Sequence, residues 1–156
     1  MSKHQEQCVI CDQIRACREG RHAGLIAELD SGFAVLGEHQ LFRGYSVLLC
    51  KERATELHEL SESVRMLYLS EMSQLAEAVA RVVKPHKLNY ECLGNVAHHL
   101  HFHVFPRQLS DPDPKAPVWG QIPSGDALAE WRLNAQRDGG LAREIAAALA
   151  MIRAGR

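Results

Sequence analysis

The chain has 156 residues, and its 46% apolar content suits one folded unit with a real core. Eighteen basic residues against nineteen acidic ones leave a formal charge of -1, which excludes the electrostatic footprint of a protein that coats nucleic acid or anionic lipid. Any polyanionic partner is expected to be small and locally bound. The polar start carries no apolar run of a signal peptide and no later segment approaches a bilayer-spanning length, so a cytoplasmic protein is expected. Five cysteines, at 8, 11, 17, 50 and 92, are an odd set, read as thiols or metal ligands rather than a disulfide framework.

Ile10, Ile14 and Cys17 recur at helical spacing ahead of Gly20, which predicts a short amphipathic helix over about 9–19. Between Leu25 and Lys51 the runs IAEL, FAVLGEH and YSVLLCK are separated by Asp30-Ser31-Gly32 and Arg43-Gly44, which reads as three antiparallel strands joined by turns. Ser61 is a helix N-cap for a run in which Val64, Leu67, Tyr68, Met72, Leu75, Val79 and Val82 keep a 3.6-residue period as far as Pro85. A helix over about 62–83 follows.

Two further strands are expected, Leu88–Leu93 and His98–Phe105, paired across a Gly94-Asn95 turn and ended by Pro106. Residues 111–123 hold four prolines in an arm that is neither helix nor central strand. The tail reads as two helical pieces, about 125–137 and 141–152, interrupted by Gly139-Gly140. Strands, a helix and two more strands with short links describe an α+β domain on an antiparallel sheet of about five strands, with the long helix packed on it and a C-terminal helical tail.

The chemistry sits in His98-His99-Leu100-His101-Phe102-His103-Val104-Phe105. Period-2 geometry puts His99, His101 and His103 on one face and Leu100, Phe102 and Val104 on the other. His98 faces away from the triad and reads as a structural histidine. Imidazole titrates near pH 6.5, so each triad ring can serve as base, acid or nucleophile. Three together repel one another when charged, and an anion among them is expected. A phosphate group fits: one neutral ring attacks phosphorus while its neighbours donate to the oxygens. Two other readings stand beside this one, a zinc site on alternate strand residues and a polar outer face of an edge strand.

The run His99-Leu100-His101-Phe102-His103-Val104-Phe105 resembles the His-φ-His-φ-His-φ-φ signature of the histidine triad (HIT) family of nucleotide hydrolases and transferases. In the same order come Cys8-Val-Ile-Cys11, an apolar strand into Arg43-Gly44-Tyr45, Glu56-Leu-His-Glu-Leu60 and Gly94-Asn95, so the likeness covers about residues 8–108. It implies a HIT-like catalytic domain over 1–108, with the proline-rich arm and C-terminal helices of 109–156 belonging to the same domain.

The resemblance implies that His101 becomes nucleotidylated while His99 and His103 orient it and contact the phosphate. The expected activity is hydrolysis at the α-phosphate of dinucleoside polyphosphates or nucleoside phosphoramidates by a homodimer, with no cofactor required and no nucleic acid or membrane partner. Asn95 matches a polar position beside the phosphates, and Asn89 is a second candidate; both are also natural turn residues. Arg107 is a candidate phosphate contact. Gly37 stands where relatives carry an Asp or Asn for the ribose, which moves that role to Glu38, itself equally a solvated turn residue. Tyr45 stands where a histidine is common. Trp119 reads as packed on its own domain, or stacked on a base or partner.

Some relatives hold zinc through Cys-x-x-Cys, a histidine after the third strand and the first triad histidine. Cys8, Cys11 and His99 match three of these, but Arg53, which cannot ligate, fills the remaining place, so zinc is a lesser expectation. Three rival functions share these residues: a nucleotide-binding regulatory module with slow turnover, a zinc-stabilised interaction protein, and a nucleotidyl transferase.

Overall fold

The computed structural model describes residues 8–155. The polar start that carries the expectation about a signal peptide lies mostly outside them. The elements in order are α1 (Val9–Arg18), β1 (Leu25–Glu28), β2 (Gly32–Leu36), β3 (Ser46–Cys50), α2 (Glu62–Val83), β4 (Lys87–Glu91), β5 (His101–Arg107) and α3 (Ala135–Arg153), with short 3-10 turns at Leu57–Glu59, Val118–Gln121 and Gly125–Trp131. The strands form one antiparallel sheet in the order β1-β2-β3-β5-β4, which is the expected α+β architecture. No helix of the described residues is long and apolar enough to cross a membrane.

Alternation along the strands splits the core in two. Ala34, Leu36, Leu48, Cys50, Leu100 and Phe102 point to one face, which α2 and α3 cover with Tyr68, Leu75, Val79, Leu141, Ile145 and Leu149. Phe33, Val35, Val47, Leu49 and Phe105 point to the other, covered by Ile10, Ile14 and Cys17 of α1 and by Val118 of the arm. Register sets His103 opposite Val47 and His101 opposite Leu49, so the triad belongs to this second face.

Helix α2 starts at its Ser61 cap, whose Oγ accepts from Val64 N, and stops at Lys84 in the left-handed region (φ 52°) just before Pro85. Its buried Glu71 accepts from Asp30 N and Ser31 N, both at 2.9 Å, and pairs with Arg153 at 3.0 Å. That network ties the end of α3 to the β1–β2 turn.

Three expectations are corrected. Strand β5 does not end at Pro106 but continues to Arg107, with Pro106 opposite Leu88. The Arg107 carbonyl faces β4, accepting from His86 N at 2.9 Å, so Pro106 faces the other way, where β3 has already ended at the Ser46–Val104 pair. A missing N–H costs no ladder bond there. Next, β4 and β5 do pair, but residues 92–100 between them form an extended loop rather than a two-residue turn at Gly94-Asn95. Last, Gly139-Gly140 does not interrupt the tail. A single helix spans Ala135–Arg153, capped by Asn134 Oδ1, which accepts from Gln136 N and Arg137 N. Burial of Leu141, Ala142, Ile145 and Leu149 outweighs a helix cost of about 1 kcal/mol per glycine.

Candidate active site

The second face of the sheet is roofed only in part, and the gap is a cavity of about 430 Å³. His101 and His103 line it together with Val47, Leu49 and Tyr45 from the sheet, Val9, Ile10 and Gln13 from α1, Gly37 and Glu38 from the loop after β2, 93–97 from the β4–β5 loop, and Trp119. Its walls are mostly apolar, with imidazoles and a few polar groups at the floor and rim, which suits a flat organic group joined to an anion.

Each triad ring is held by a specific partner. His99 Nε2 lies 2.8 Å from the Cys50 carbonyl and 3.1 Å from that of Glu52. Carbonyls only accept, so Nε2 carries the proton and Nδ1 is the lone-pair nitrogen. His101 is the reverse: Nδ1 lies 2.7 Å from the His99 carbonyl and donates to it, which leaves Nε2 as the lone-pair nitrogen of a ring that lines the cavity. His103 Nδ1 lies 2.7 Å from the Tyr45 hydroxyl, and its ring meets His101 edge-on at 4.7 Å. Burial lowers the pKa of His99, and burial followed by the charge of His101 lowers that of His103 to about 4. Both shifts favour the neutral form of His99 and His103.

The other residues singled out in the sequence divide. Glu38 and Asn95 line the cavity with His101 and His103. Arg107 and Asn89 do not: they hold each other (3.1 Å), and the buried Arg107 guanidinium also pairs with Asp111 at 2.8 Å and donates to the Ala116 and Asp113 carbonyls. Both pin the proline-rich arm. His98 is exposed rather than a buried structural histidine, because the chain before Leu100 is loop and imposes no strand alternation on it.

Trp119 does pack on its own domain, edge-on to His103 (5.1 Å) and Phe105 (5.6 Å), with its indole N–H donating to Glu91. It nevertheless stays 44% exposed and forms part of the cavity rim. Sequence reasoning missed the α1 residues, Val47 and Leu49 as cavity wall. Alternation of β3 against the triad strand was the available signal for the last two; no local pattern marks α1 as their roof.

Cys8, Cys11 and His99 come together beside this site. Their ligand atoms all lie within 4.8 Å of one another, with the two Sγ atoms 3.5 and 3.4 Å from His99 Nδ1. In a tetrahedral zinc site with Zn–S near 2.3 Å and Zn–N near 2.0 Å, sulfur and nitrogen ligands sit about 3.5 Å apart. One lone pair cannot accept from both thiols, whereas one cation would satisfy all three atoms. His99 Nε2, held by backbone carbonyls, is oriented as metal-binding histidines are. The donor set fits zinc with three protein ligands. Arg53, exposed nearby, supplies none.

A five-stranded antiparallel sheet that carries His101 and His103, with His99 in the loop just ahead of them, beside an apolar cleft defines a nucleotide-site protein of the histidine triad type. The HIT domain model matches residues 21–110, and the chain belongs to the HIT family. Membership places it among nucleotide-binding hydrolases and transferases. No curated protein matches the chain. Among solved structures it is similar to a histidine triad protein from Marinobacter aquaeolei VT8 (22% identity over 81% of this chain and 88% of that one, TM-score 0.70). A hypothetical histidine triad nucleotide-binding protein from Sulfolobus tokodaii strain7 is similar at 16% identity, 92% and 94% coverage and TM-score 0.69. A zinc-bound histidine triad family protein from Mycobacterium smegmatis is similar at 20%, with 96% and 98% coverage and TM-score 0.63.

Proposed function

We propose that this protein is a nucleotide hydrolase that works through a covalent nucleotidyl-His101 intermediate on dinucleoside polyphosphates or nucleoside phosphoramidates. The observation that carries this reading is the tautomer of His101. With Nδ1 donating to the His99 carbonyl, Nε2 has a free lone pair on a cavity ring. Attack of Nε2 on the α-phosphorus forms a P–N bond and breaks the bond to the leaving group. The positive charge that then spreads over the ring is stabilised by the same carbonyl at 2.7 Å. Water cleaves the P–N bond in the second half-reaction and restores the free imidazole. In this reading the apolar walls hold the base, Glu38 the ribose and Asn95 a phosphate oxygen.

Cys8, Cys11 and His99 are proposed to hold a structural zinc that clamps the start of α1 to the segment ahead of β5. Its chemistry is that of a staple, and the hydrolytic steps use only the protein's own groups. A homodimer and a cytoplasmic location complete the reading; β4 ends the sheet with Tyr90, Leu93 and Val96 exposed on and beside it, which gives a dimer an edge to use.

The test is incubation with a panel of dinucleoside polyphosphates and a nucleoside phosphoramidate, followed by intact mass spectrometry on a rapid quench. Wild-type protein is expected to show a nucleotidyl adduct, absent from His101→Ala. Hydrolysis by His101→Ala at the wild-type rate would sink the mechanism. Nucleotide binding without adduct or turnover would favour the slow regulatory module instead.

A further inference from the structure

The protons of His99 and His101 are assigned by carbonyl partners, but His103 faces a hydroxyl, which can donate or accept. Tyr45 is buried (4% exposed), and His103 Nδ1 is the only hydrogen-bond partner of its hydroxyl among the described residues. If His103 donated, the phenolic O–H would be buried without an acceptor, a loss of about 1–3 kcal/mol. If Tyr45 donates, both groups are satisfied and the remaining imidazole nitrogen opens on the cavity. Packing fixes the phenol ring in the orientation this bond requires. The ring stacks on Phe105 at 3.9 Å and 11°, lies 5.0 Å from His39, and fills the space over Gly37.

We infer that Tyr45 is a positioning residue whose hydroxyl donates to His103 Nδ1, so that neutral His103 keeps its single proton on Nε2 and presents a fixed hydrogen-bond donor to the cavity. Neighbouring rings then have opposite jobs, with the lone pair of His101 and the N–H of His103 turned to the cavity. Ionisation of Tyr45 is pushed far upward by burial, with the charges of Glu38 and Glu91 adding to it, so the phenol does not lose its proton at any ordinary pH. The groups around His103 are Tyr45, His101, Phe105 and Trp119, with His39 adding to the charges that disfavour its protonation. The carboxylate of Glu91, opposite His103 in the β4–β5 register, accepts from the Trp119 indole N–H, while the hydrogen-bond partner of His103 is the Tyr45 hydroxyl. In the reaction proposed above, on which this role rests, His103 Nε2–H binds a phosphoryl oxygen as a dipole rather than as an acid.

Long-range proton–nitrogen NMR on nitrogen-15-labelled protein reads the tautomer directly, with His103→Gln identifying the resonances. Wild-type His103 is expected to show an unprotonated Nδ1 and a protonated Nε2. Tyr45→Phe keeps the stacked ring and should move His103 to a mixture of tautomers. It should also slow formation of the His101 adduct about tenfold at saturating nucleotide while binding changes less than about twofold. A protonated Nδ1 in the wild type, or an unchanged tautomer in Tyr45→Phe, would overturn the inference. If no substrate ever labels His101 while the tautomer responds as expected, the hydrolase reading fails and the role of Tyr45 as tautomer lock stands.

Discussion

Gly37 and Tyr45 are a sterically matched pair: a Cβ at position 37 would lie 2.1 Å from Cε1 and 2.2 Å from Cδ1 of the Tyr45 ring. The Gly37 N–H also donates to the Tyr45 carbonyl at 2.8 Å, so backbone and ring are locked on each other. Two of the departures from the pattern that the resemblance implies, glycine at 37 for an acidic or amide residue and tyrosine at 45 for a histidine, are therefore one structural solution. The larger ring takes the space of the missing side chain. Gly37→Ala is predicted to destabilise by about 1–3 kcal/mol through overpacking. Urea unfolding should show the loss in the wild-type background and little of it when Tyr45→Ala is also present. Equal losses in both backgrounds would disprove the pairing.

Acid should weaken the fold through the same ring. The pKa of His103 is held near 4 in the folded protein against about 6.5 unfolded, so the unfolded chain binds the proton first. Stability is then unaffected above pH 6.5, falls as pH drops through the interval to 4, and by its lower end has lost on the order of 3 kcal/mol from this residue. His22, His39 and His99, lowered mainly by burial, act in the same direction. Thermal melts at pH 7 and pH 4.5 should differ clearly, and His103→Asn should shrink that difference. A variant with the full wild-type pH slope would refute the assignment.

Arg107 is predicted to hold the arm that carries Trp119. Its guanidinium, 3% exposed as a residue, serves Asp111, Asn89 and two arm carbonyls and lies 5.2 Å over the Phe42 ring. Arg107→Ala removes four part-buried hydrogen bonds and the ion-pair partner of Asp111, at about 1–3 kcal/mol. Limited proteolysis should open between residues 108 and 117, and the Trp119 emission should shift red as its packing on His103 loosens. An Arg107→Ala protein as protease-resistant as the wild type would show that the arm is held by other contacts.

The cysteine–histidine cluster makes a metal prediction that does not depend on turnover. Elemental analysis of protein prepared without chelator should find stoichiometric zinc, lost in Cys11→Ser and in Cys8→Ser. Chelation should lower the melting temperature of the wild type and leave both variants unmoved. A wild-type melt indifferent to both zinc and chelator would exclude the ion.

The local patterns were legible because their period is a property of the chain itself. Alternation alone set His101 and His103 on one face and Phe102 and Val104 on the other, and the 3.6-residue period with Ser61 and Pro85 delimited α2 almost to the residue. The approach of Cys8 and Cys11 to His99 was foreshadowed by motif order, though their distances were not. What periodicity cannot report is which element covers a face. That α2 and α3 share one side, leaving α1 and the proline-rich arm to build the cavity on the other, depends on contacts between residues distant in sequence. Tertiary packing likewise overrode local rules at Gly139-Gly140 and Pro106, where burial of α3 and the early end of β3 removed the usual cost. By itself the sequence determined which imidazoles stand together. Only the folded surroundings, three backbone carbonyls and one buried tyrosine, decided where the lone pairs and protons of those imidazoles lie, because a tautomer is chosen by its hydrogen-bond partner and not by its neighbours in the chain.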